Sequence, residues 1–338
     1  LPTVTDANLV LGRIAPDYFL GGEMRLDPEL AADSIRRHVA EPLSLDLDRA
    51  ASGILRVVNA NMAKGIRSRS IERGYDPREF TLVAFGGAGP LHAAELADDL
   101  GMRKVLVPLY PGALSAFGLA TSDIRHDHVA TLAKKEKELT PEVLAAAFAP
   151  LEDQARRDLA ASRVPPEAVE LARSVDMRYI GQSYELNVPL PGPGDIARED
   201  LQRLIQSFHA LHRRIYEYGS LNEETEVVNV RIVGLGRVPP VSLPRIPRGG
   251  SEPSGAWKGE RLVHFDGPGH IECPIYERGR LRATNRVVGP AVIEERISCT
   301  VVPPGWTATT DDFGNLILAA SAELRHPEPA NSRPGGMR

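Results

Sequence analysis

Apolar residues recur at helical spacing near the start of the chain. One such pattern follows Asp27 and runs to about Val39. A second, longer pattern begins near Asp46. Its apolar positions are Ile54, Leu55, Val58, Met62 and Ile66. Because this spacing places side chains on one helix face and a glycine, Gly74, follows the last position, we predict a long helix over about residues 48–73.

A glycine-rich turn follows this helix and joins a short apolar run to another helical stretch. The run Thr81 to Phe85 leads into Gly86-Gly87-Ala88-Gly89, and we predict a helix from Pro90 to Gly101. Proline at a helix start and glycine just past its end are both favoured. A strand is predicted next, at residues 104–107, and then a short helix. This alternation of strand and helix predicts an α/β fold with part of its sheet parallel.

The second half of the chain is richer in charge and in strand patterns. A charged run at 134–138 precedes a helical pattern from about Pro141 to Ser162, and another helix is predicted at 200–216. Predicted strands lie at 175–179, 183–188, 226–233, 261–265, 287–294, 298–302 and 315–318.

These patterns predict a division of the chain into four parts. They are an α/β part at 1–130, a charged helical linker at 131–175, a β-rich domain at 176–322 and a disordered tail at 323–338.

Charge and composition exclude several classes of function. The chain has 40 Lys and Arg against 45 Asp and Glu, a net charge of -5, and no dense basic stretch, so we expect no nucleic-acid partner. No apolar run is long enough to predict a membrane span, and we expect no secretion signal. The two cysteines, Cys273 and Cys299, are too few for a disulfide framework and fit a reducing cytoplasm. The first residues, Leu1 to Thr3, suggest a strand-like or turn-like start, as in a piece of a longer chain.

The turn Gly86-Gly87-Ala88-Gly89 is the strongest local signal for ligand binding. Glycines let a ligand approach the backbone closely, and a helix N-terminus offers unpaired N–H groups and positive potential. Both properties suit a phosphate or a nucleotide ribose. Tight strand-to-helix turns also use glycine for steric reasons alone, so two interpretations stay open at this point.

Several separate stretches carry a resemblance to a known family. They are residues 2–8 (PTVTDAN), 58–62 (VNANM), 72–77 (ERGYDP), 85–92 (FGGAGPLH), 123–127 (DIRHD), 178–182 (RYIGQ), 301–306 (VVPPGW) and 313–315 (FGN). In this order, over about residues 1–320, the chain resembles the hydantoinase A/oxoprolinase family.

The resemblance implies the second lobe of an actin-like or sugar-kinase-like ATPase core, followed by a β-rich α+β C-terminal domain. It implies ATP and Mg²⁺ as cofactors and places the nucleotide against Gly86, Gly87, Ala88 and Gly89. The chain contains no Asp-x-Gly-Gly-Thr-like segment, the first-lobe motif of that superfamily. We therefore expect a missing N-terminal half and an inactive isolated chain.

The implied activity is ATP-dependent opening of a cyclic amide such as hydantoin, N-methylhydantoin or 5-oxoproline. Phosphorylation of the amide oxygen would create a leaving group, and water would open the ring. A hydantoinase B-type partner subunit is also implied. Two alternatives stay open, namely an ATP-dependent carboxylase subunit acting on acetone or acetophenone, and a non-catalytic assembly module.

Four polar residues within the matching stretches are candidate catalytic residues. Asp6 and Asn8 could bind a metal or substrate, or could cap the next segment. Asn59 and Asn61 lie in the predicted long helix, where asparagine is locally unfavourable. They either face a substrate or a buried hydrogen-bonding partner, or form a solvated stripe.

Other polar groups carry weaker signals. His126 and His128 would share one face of a strand, as a pair of metal ligands does, but no further histidine has ligand spacing, so no metal site is predicted. Gln182 and Glu185 could contact substrate, or could belong to a hairpin that turns at Gly181.

Overall fold

The computed structural model describes residues 1–190, 194–217 and 223–321. The tail predicted to be disordered, residues 323–338, lies outside the described residues. The chain divides into two compact units. The first holds Leu1–Gly118 and the described chain from Ser242 onward, and the second holds Leu119–Val241.

The helices and strands are numbered along the chain. The α-helices are α1 (Val4–Val10), α2 (Pro28–Ile35), α3 (Glu41–Leu43), α4 (Leu47–Ser70), α5 (Gly89–Leu100), α6 (Leu114–Thr121), α7 (Pro141–Ala161) and α8 (Arg198–Tyr216). The strands are β1 (Leu82–Val83), β2 (Lys104–Val107), β3 (Ile124–Lys135), β4 (Val169–Tyr179), β5 (Leu186–Pro189), β6 (Thr225–Gly236), β7 (Trp257–Phe265), β8 (Gly269–Glu277), β9 (Arg286–Val288), β10 (Ala291–Glu295), β11 (Ser298–Val302), β12 (Trp306–Thr310) and β13 (Leu316–Ala320). No helix within the described ranges is both long and apolar enough to cross a membrane.

The first unit contains two mixed sheets. One has the order β1-β2-β13-β12-β9, with β1 and β2 parallel, and the other has the order β11-β10-β8-β7, with β10 and β8 parallel. These sheets confirm the predicted α/β class with a partly parallel sheet. The α5 helix packs its buried face, including Leu96 and Leu100, into a core shared with Trp306 and Leu318. This packing holds the start of α5 in a fixed place, because one side of the helix is fully covered.

The second unit is one antiparallel sheet, in the order β3-β6-β4-β5, with α7 and α8 contributing to its core. The stretch predicted as a charged linker, 131–175, contains α7, whose Leu144 and Phe148 are fully buried in this core. The charged run that suggested a linker forms the end of β3 and the turn after it. The apolar face of α7 packs into the core of the second unit. In the structure this stretch is therefore part of the second unit.

Two local predictions differ from the structure. The chain does not start with a strand, because Thr3 caps α1 through a reciprocal pair of hydrogen bonds with Asp6. The strand predicted at 287–294 is two strands, β9 and β10, which lie in different sheets. Gly289 lies at the break, where a Cβ would come within 2.1 Å of the Pro303 carbonyl oxygen. This close approach of two backbone segments is a tertiary contact that local patterns do not show.

Candidate functional site

The glycine turn, residues 86–89, leads directly into α5. Gly86 has a φ of +87°, in the left-handed region that favours glycine, and its N–H donates to the carbonyl of Pro111 at 2.8 Å. The N-cap residue of α5 is Ala88, which has no side-chain acceptor for the first N–H groups of the helix. Gly87 and Ala88 are exposed. The first turn of α5 therefore keeps N–H groups that no side-chain cap occupies.

A cavity of about 300 Å³ lies beside this turn, within the first unit. Its walls come from α1, the segment that follows α1, the glycine turn and the β10–β11 hairpin. Two of the residues predicted to bind nucleotide, Gly87 and Ala88, line it together with Asn8, one of the predicted catalytic residues. The structure thus brings together candidates that are about eighty residues apart in the sequence.

Asn8 is a buried polar residue of this cavity whose amide has an incomplete set of hydrogen-bond partners. Its side chain is 1% exposed, and Nδ2 donates to the carbonyl of Val4 at 3.0 Å. Its other amide atom, Oδ1, is buried and has no hydrogen-bond partner among the described residues. A buried acceptor without a partner costs about 1–3 kcal/mol. This cost makes Asn8 a candidate for contact with a ligand.

Asp6 occupies a capping position. Its Oδ2 accepts from the backbone N–H of Thr3 at 2.7 Å and from Thr3 Oγ1 at 2.8 Å. The bond from the Thr3 N–H, together with the bond from the Asp6 N–H to Thr3 Oγ1, forms the capping box of α1, and Asp6 is not part of the cavity wall. Capping, the commoner of the two roles considered for Asp6, accounts for its position in the structure.

Asn59 belongs to a buried network away from this cavity. Its Nδ2 donates to Glu95 Oε2 at 2.8 Å, and its Oδ1 lies 2.9 Å from His92 Nδ1. Because a carboxylate only accepts, the amide nitrogen faces Glu95, so His92 must carry its proton on Nδ1. Arg13 Nη2 donates to the other Glu95 oxygen at 2.6 Å. The network joins α4, α5 and the segment after α1.

The protonation state of His92 agrees with this arrangement. Burial lowers the pKa of His92; Arg13 lowers it further, while the charge of Glu95 opposes the shift. A neutral imidazole can donate from Nδ1 to Asn59. Asn61 is exposed on another side of α4, so the two asparagines do not form one site. Sequence reasoning did not single out Arg13, His92 or Glu95, although His92 closes the FGGAGPLH stretch.

Two glutamates on β10 line the cavity but are held by cations. Glu294 accepts from Arg261 Nη1 at 2.8 Å and from Lys258 Nζ at 2.7 Å. Glu295 accepts from Arg278 Nη1 at 2.9 Å. Burial raises the pKa of Glu295, and the charge of Arg278 opposes that shift. These contacts give both carboxylates a structural role in the cavity wall.

Cys299 also lines the cavity. Burial raises the pKa of this thiol to about 12, and its Sγ donates to the carbonyl of Arg13 at 3.3 Å. A thiol with such a pKa stays protonated at neutral pH and is a poor nucleophile.

The two candidate histidines of the second unit contact polar residues at the end of α7. His126 Nε2 lies 3.1 Å from Ser162 Oγ, and His128 Nε2 lies 3.2 Å from Asp158 Oδ2. Both partners are at the C-terminal end of α7 or just past it, so the histidines connect strand β3 to this helix. Within the ranges that the structure describes, no group of three or more His, Cys, Asp or Glu residues is placed to hold a metal ion.

The hairpin after β4 also holds its polar residues in contacts with the protein. Gln182 Oε1 lies 3.3 Å from His212 Nε2, and Glu185 lies 3.7 Å from Arg178. Gly181 has a φ of +89° at the turn. The Glu185 contact lies within the hairpin, and the Gln182 contact joins the hairpin to α8.

Comparisons with known proteins extend over nearly the whole described chain. A family model described as hydantoinase/oxoprolinase matches residues 1–128, and one described as hydantoinase/oxoprolinase C-terminal domain matches residues 131–320. The alpha subunit of caprolactamase from Pseudomonas jessenii is 36% identical over 92% of this chain and 45% of the relative. The beta subunit of acetone carboxylase from Xanthobacter autotrophicus is 29% identical over 91% of this chain and 44% of the relative.

Two solved structures resemble the fold. A nucleotide-free structure of acetone carboxylase has a TM-score of 0.82 and 29% identity, covering 94% of this chain and 46% of that chain. The crystal structure of the ATP-dependent caprolactamase from Pseudomonas jessenii has a TM-score of 0.70 and 35% identity, covering 94% and 47%. The chain spans less than half the length of these relatives. With both family models matched in order over almost all of its described length, the chain belongs to the hydantoinase/oxoprolinase family.

Proposed function

We propose that this chain is part of an enzyme that uses ATP to open a cyclic amide of the hydantoin, N-methylhydantoin or 5-oxoproline type, and that its glycine turn binds the nucleotide. The observation that carries the proposal is the start of α5, which has no side-chain cap and follows a glycine turn whose Gly87 and Ala88 are exposed. Family membership supports it, since the relatives include a caprolactamase described as ATP-dependent and several 5-oxoprolinases.

The geometry of the turn fits a ligand. A Cβ built on Gly86 would meet nothing within 4 Å, so this side of the turn is open. A Cβ on Gly87 would contact the carbonyl oxygen of Ile297 at 3.4 Å, and the carbonyl of Gly87 itself accepts from Ser298 Oγ at 3.1 Å. The β10–β11 hairpin thus contacts the turn on one side, and the other side is open to a ligand. Backbone N–H groups at such a position suit phosphate or ribose oxygens.

In this proposal the turn positions the nucleotide. When bound, ATP would supply a phosphoryl group to the amide oxygen, which makes the amide carbon more electrophilic toward water, so that the ring C–N bond can break. The first N–H groups of α5 and its dipole favour negative charge beside the turn. Catalysis of phosphoryl transfer rests mainly on positioning and electrostatics. The protonated Cys299 supplies no nucleophile, so water is the group that opens the ring in this scheme.

Mg²⁺ and the partner subunit remain proposals drawn from the family. Glu294 and Glu295, the buried acids beside the cavity, are already bound to Lys258, Arg261 and Arg278. No step proposed here depends on a metal held by these residues. A hydantoinase B-type partner is proposed because the caprolactamase and acetone carboxylase relatives are named as subunits. The second lobe of an actin-like core likewise remains a prediction.

The test is a matched pair of glycine substitutions in the complete enzyme that contains this chain. Gly87→Val adds a branched side chain at the turn, and Gly250→Val adds one in a loop where a Cβ meets nothing within 4 Å. We expect the first variant to lose at least tenfold in ATP affinity by calorimetry and the second to lose none. Equal ATP affinity in both variants would remove the glycine turn from the nucleotide site.

A ketone carboxylase subunit is the second candidate function. The observation that favours it is the match to acetone carboxylase, with a TM-score of 0.82. Substrate-dependent phosphate release by the complete enzyme separates the two. Stimulation by acetone or acetophenone with bicarbonate would support the carboxylase, whereas stimulation by hydantoin or 5-oxoproline would support amide opening. Release with no substrate dependence would favour a non-catalytic assembly role for this half.

A further inference from the structure

The walls of the cavity beside the glycine turn are mostly apolar. They include Val4, Ile14, Phe19, Leu20, Leu91 and Ile297. A volume of about 300 Å³ is at the small end of ligand pockets and suits a single small ring. A nucleotide, with its triphosphate, does not match such walls. The cavity therefore fits a compact and uncharged molecule placed next to the turn.

The polar groups of the cavity wall are nearly all occupied by the protein itself. Tyr18 Oη donates to Glu277 Oε2 at 2.7 Å, and Ser298 Oγ donates to the carbonyl of Gly87. Glu294 and Cys299 have the contacts described above. Among the buried side-chain N and O atoms of this wall, Asn8 Oδ1 is the one without a hydrogen-bond partner in the described residues. Asn8 Oδ1 is thus a buried acceptor of the wall that lacks a donor.

We infer that this cavity binds the ring of a small cyclic amide and that Asn8 Oδ1 accepts a hydrogen bond from the ring N–H. The inference rests on the proposed function for the choice of ligand class, and it adds the subsite and the residue that selects for the N–H group. The apolar walls contact the ring carbons, and the glycine turn lies at one end, where the nucleotide is proposed to bind.

Binding includes a small rotation of the Asn8 amide. In the ligand-free protein Oδ1 is shielded from water, so a ligand reaches it only as the side chain turns toward the cavity. The same rotation weakens the bond from Nδ2 to the Val4 carbonyl, one hydrogen bond on the inner side of α1. A hydrogen bond from the ligand to Asn8 Oδ1 offsets the loss of this bond to Val4. The reason is that a buried acceptor without a partner costs at least as much free energy as one typical hydrogen bond contributes.

The residue acts on specificity because it distinguishes donors from non-donors. A lactam with a ring N–H satisfies Asn8 Oδ1, whereas a cyclic ketone or an N-methyl lactam of similar size leaves it unmet. A site that hydrogen-bonds a ligand donor discriminates against analogues that lack the donor, since its polar group then stays buried without a partner. The same cavity therefore disfavours ketones relative to amides.

The probes are 2-piperidone, N-methyl-2-piperidone and cyclohexanone, titrated without ATP into the complete enzyme and followed by ligand-observed NMR. We expect 2-piperidone to bind about tenfold more tightly than either other ring, which corresponds to about 1.4 kcal/mol. In Asn8→Ala this preference should fall to twofold or less. Asn187→Ala, an exposed asparagine of the second unit, should keep it.

A second variant covers the case in which Asn8→Ala fails to fold. Ile297 lines the cavity and is 37% exposed, so we expect Ile297→Trp to fill the cavity and weaken all three probes at least tenfold while circular dichroism stays unchanged. Equal affinity of the three rings in the unsubstituted enzyme would overturn the inference. So would unchanged 2-piperidone binding in Ile297→Trp.

The outcome is independent of the nucleotide test. Lactam-stimulated ATP hydrolysis without lactam preference at this cavity would overturn the subsite but leave the proposed function standing. A preference for the N–H ring that depends on Asn8, in an enzyme whose ATP affinity ignores Gly87→Val, would support the subsite and count against the nucleotide site.

Discussion

Two buried asparagines in the first unit, Asn8 on α1 and Asn59 on α4, have almost equal exposure, 1% and 4%. Asn59 uses both ends of its amide, toward Glu95 and toward His92, and joins three parts of the chain. Asn8 uses one end locally and leaves the other without a described partner. The difference teaches that burial alone does not distinguish a structural amide from a ligand-binding one. The state of the hydrogen bonds does.

The largest effect expected from this comparison is on stability at Asn59. Asn59→Ala removes the donor to the half-buried Glu95 and the acceptor for the buried His92, and leaves both without that partner. We expect the free energy of unfolding to fall by about 3 kcal/mol, measured by urea unfolding at pH 7.5. Asn61→Ala, an exposed position on the same helix, should change it by less than about 0.5 kcal/mol.

The pH dependence of stability tests the same network. Burial lowers the folded-state pKa of His92 below the 6.5 of an unperturbed histidine, so the unfolded chain binds the proton more readily. The contribution of neutral His92 is therefore complete above pH 6.5 and is lost as pH falls from there toward the lowered pKa. Between pH 7.5 and pH 5.5, the urea concentration at the unfolding midpoint should fall more for the unsubstituted protein than for His92→Gln. Burial also lowers the pKa of His209 in the second unit. Its contribution to the pH dependence of stability is the same in both proteins, so it cancels in the comparison.

A smaller effect is expected for the other asparagine. Asn8→Ala loses the bond to the Val4 carbonyl but also removes an acceptor that has no partner. We expect a loss of about 1 kcal/mol or less, under the same urea conditions as for Asn59→Ala. Losses of equal size at the two positions would show that Asn8 is as fully engaged as Asn59, and would break the comparison.

The smallest expected effect is that the thiol of Cys299, which lines the same cavity as Asn8, does not react. With a pKa of about 12 and an exposure of 9%, Cys299 should not be alkylated by iodoacetamide at pH 8 in the folded protein. Mass spectrometry should show the adduct only after denaturation, when Cys273 reacts as well. Rapid modification of Cys299 in the folded state would mean that the cavity opens far more than the structure shows.

Sequence patterns predicted much of the first unit because its signals are local. The long helix near residues 48–73 corresponds to α4 and the short helical turn after it, and Pro90 and Gly101 bound α5 to within one residue. The spacing of apolar residues and the residues that start and end a helix are local features of the sequence, so they can be identified without knowledge of the fold. The strand at 287–294 was predicted less well, since its division depends on a distant backbone segment near Pro303.

By itself, the sequence determined the family, the glycine turn and the set of polar candidates, because motifs in a fixed order and local helix signals are written along the chain. Only the tertiary structure decided what each candidate does. It placed Asn8 with Gly87 and Ala88 around one cavity, gave Asp6 to a helix cap, enclosed Asn59 in a charged network and left Asn61 exposed. The physical reason is that hydrogen-bond satisfaction depends on partners tens to hundreds of residues away, as between Asn59 and Glu95 or between Glu294 and Arg261.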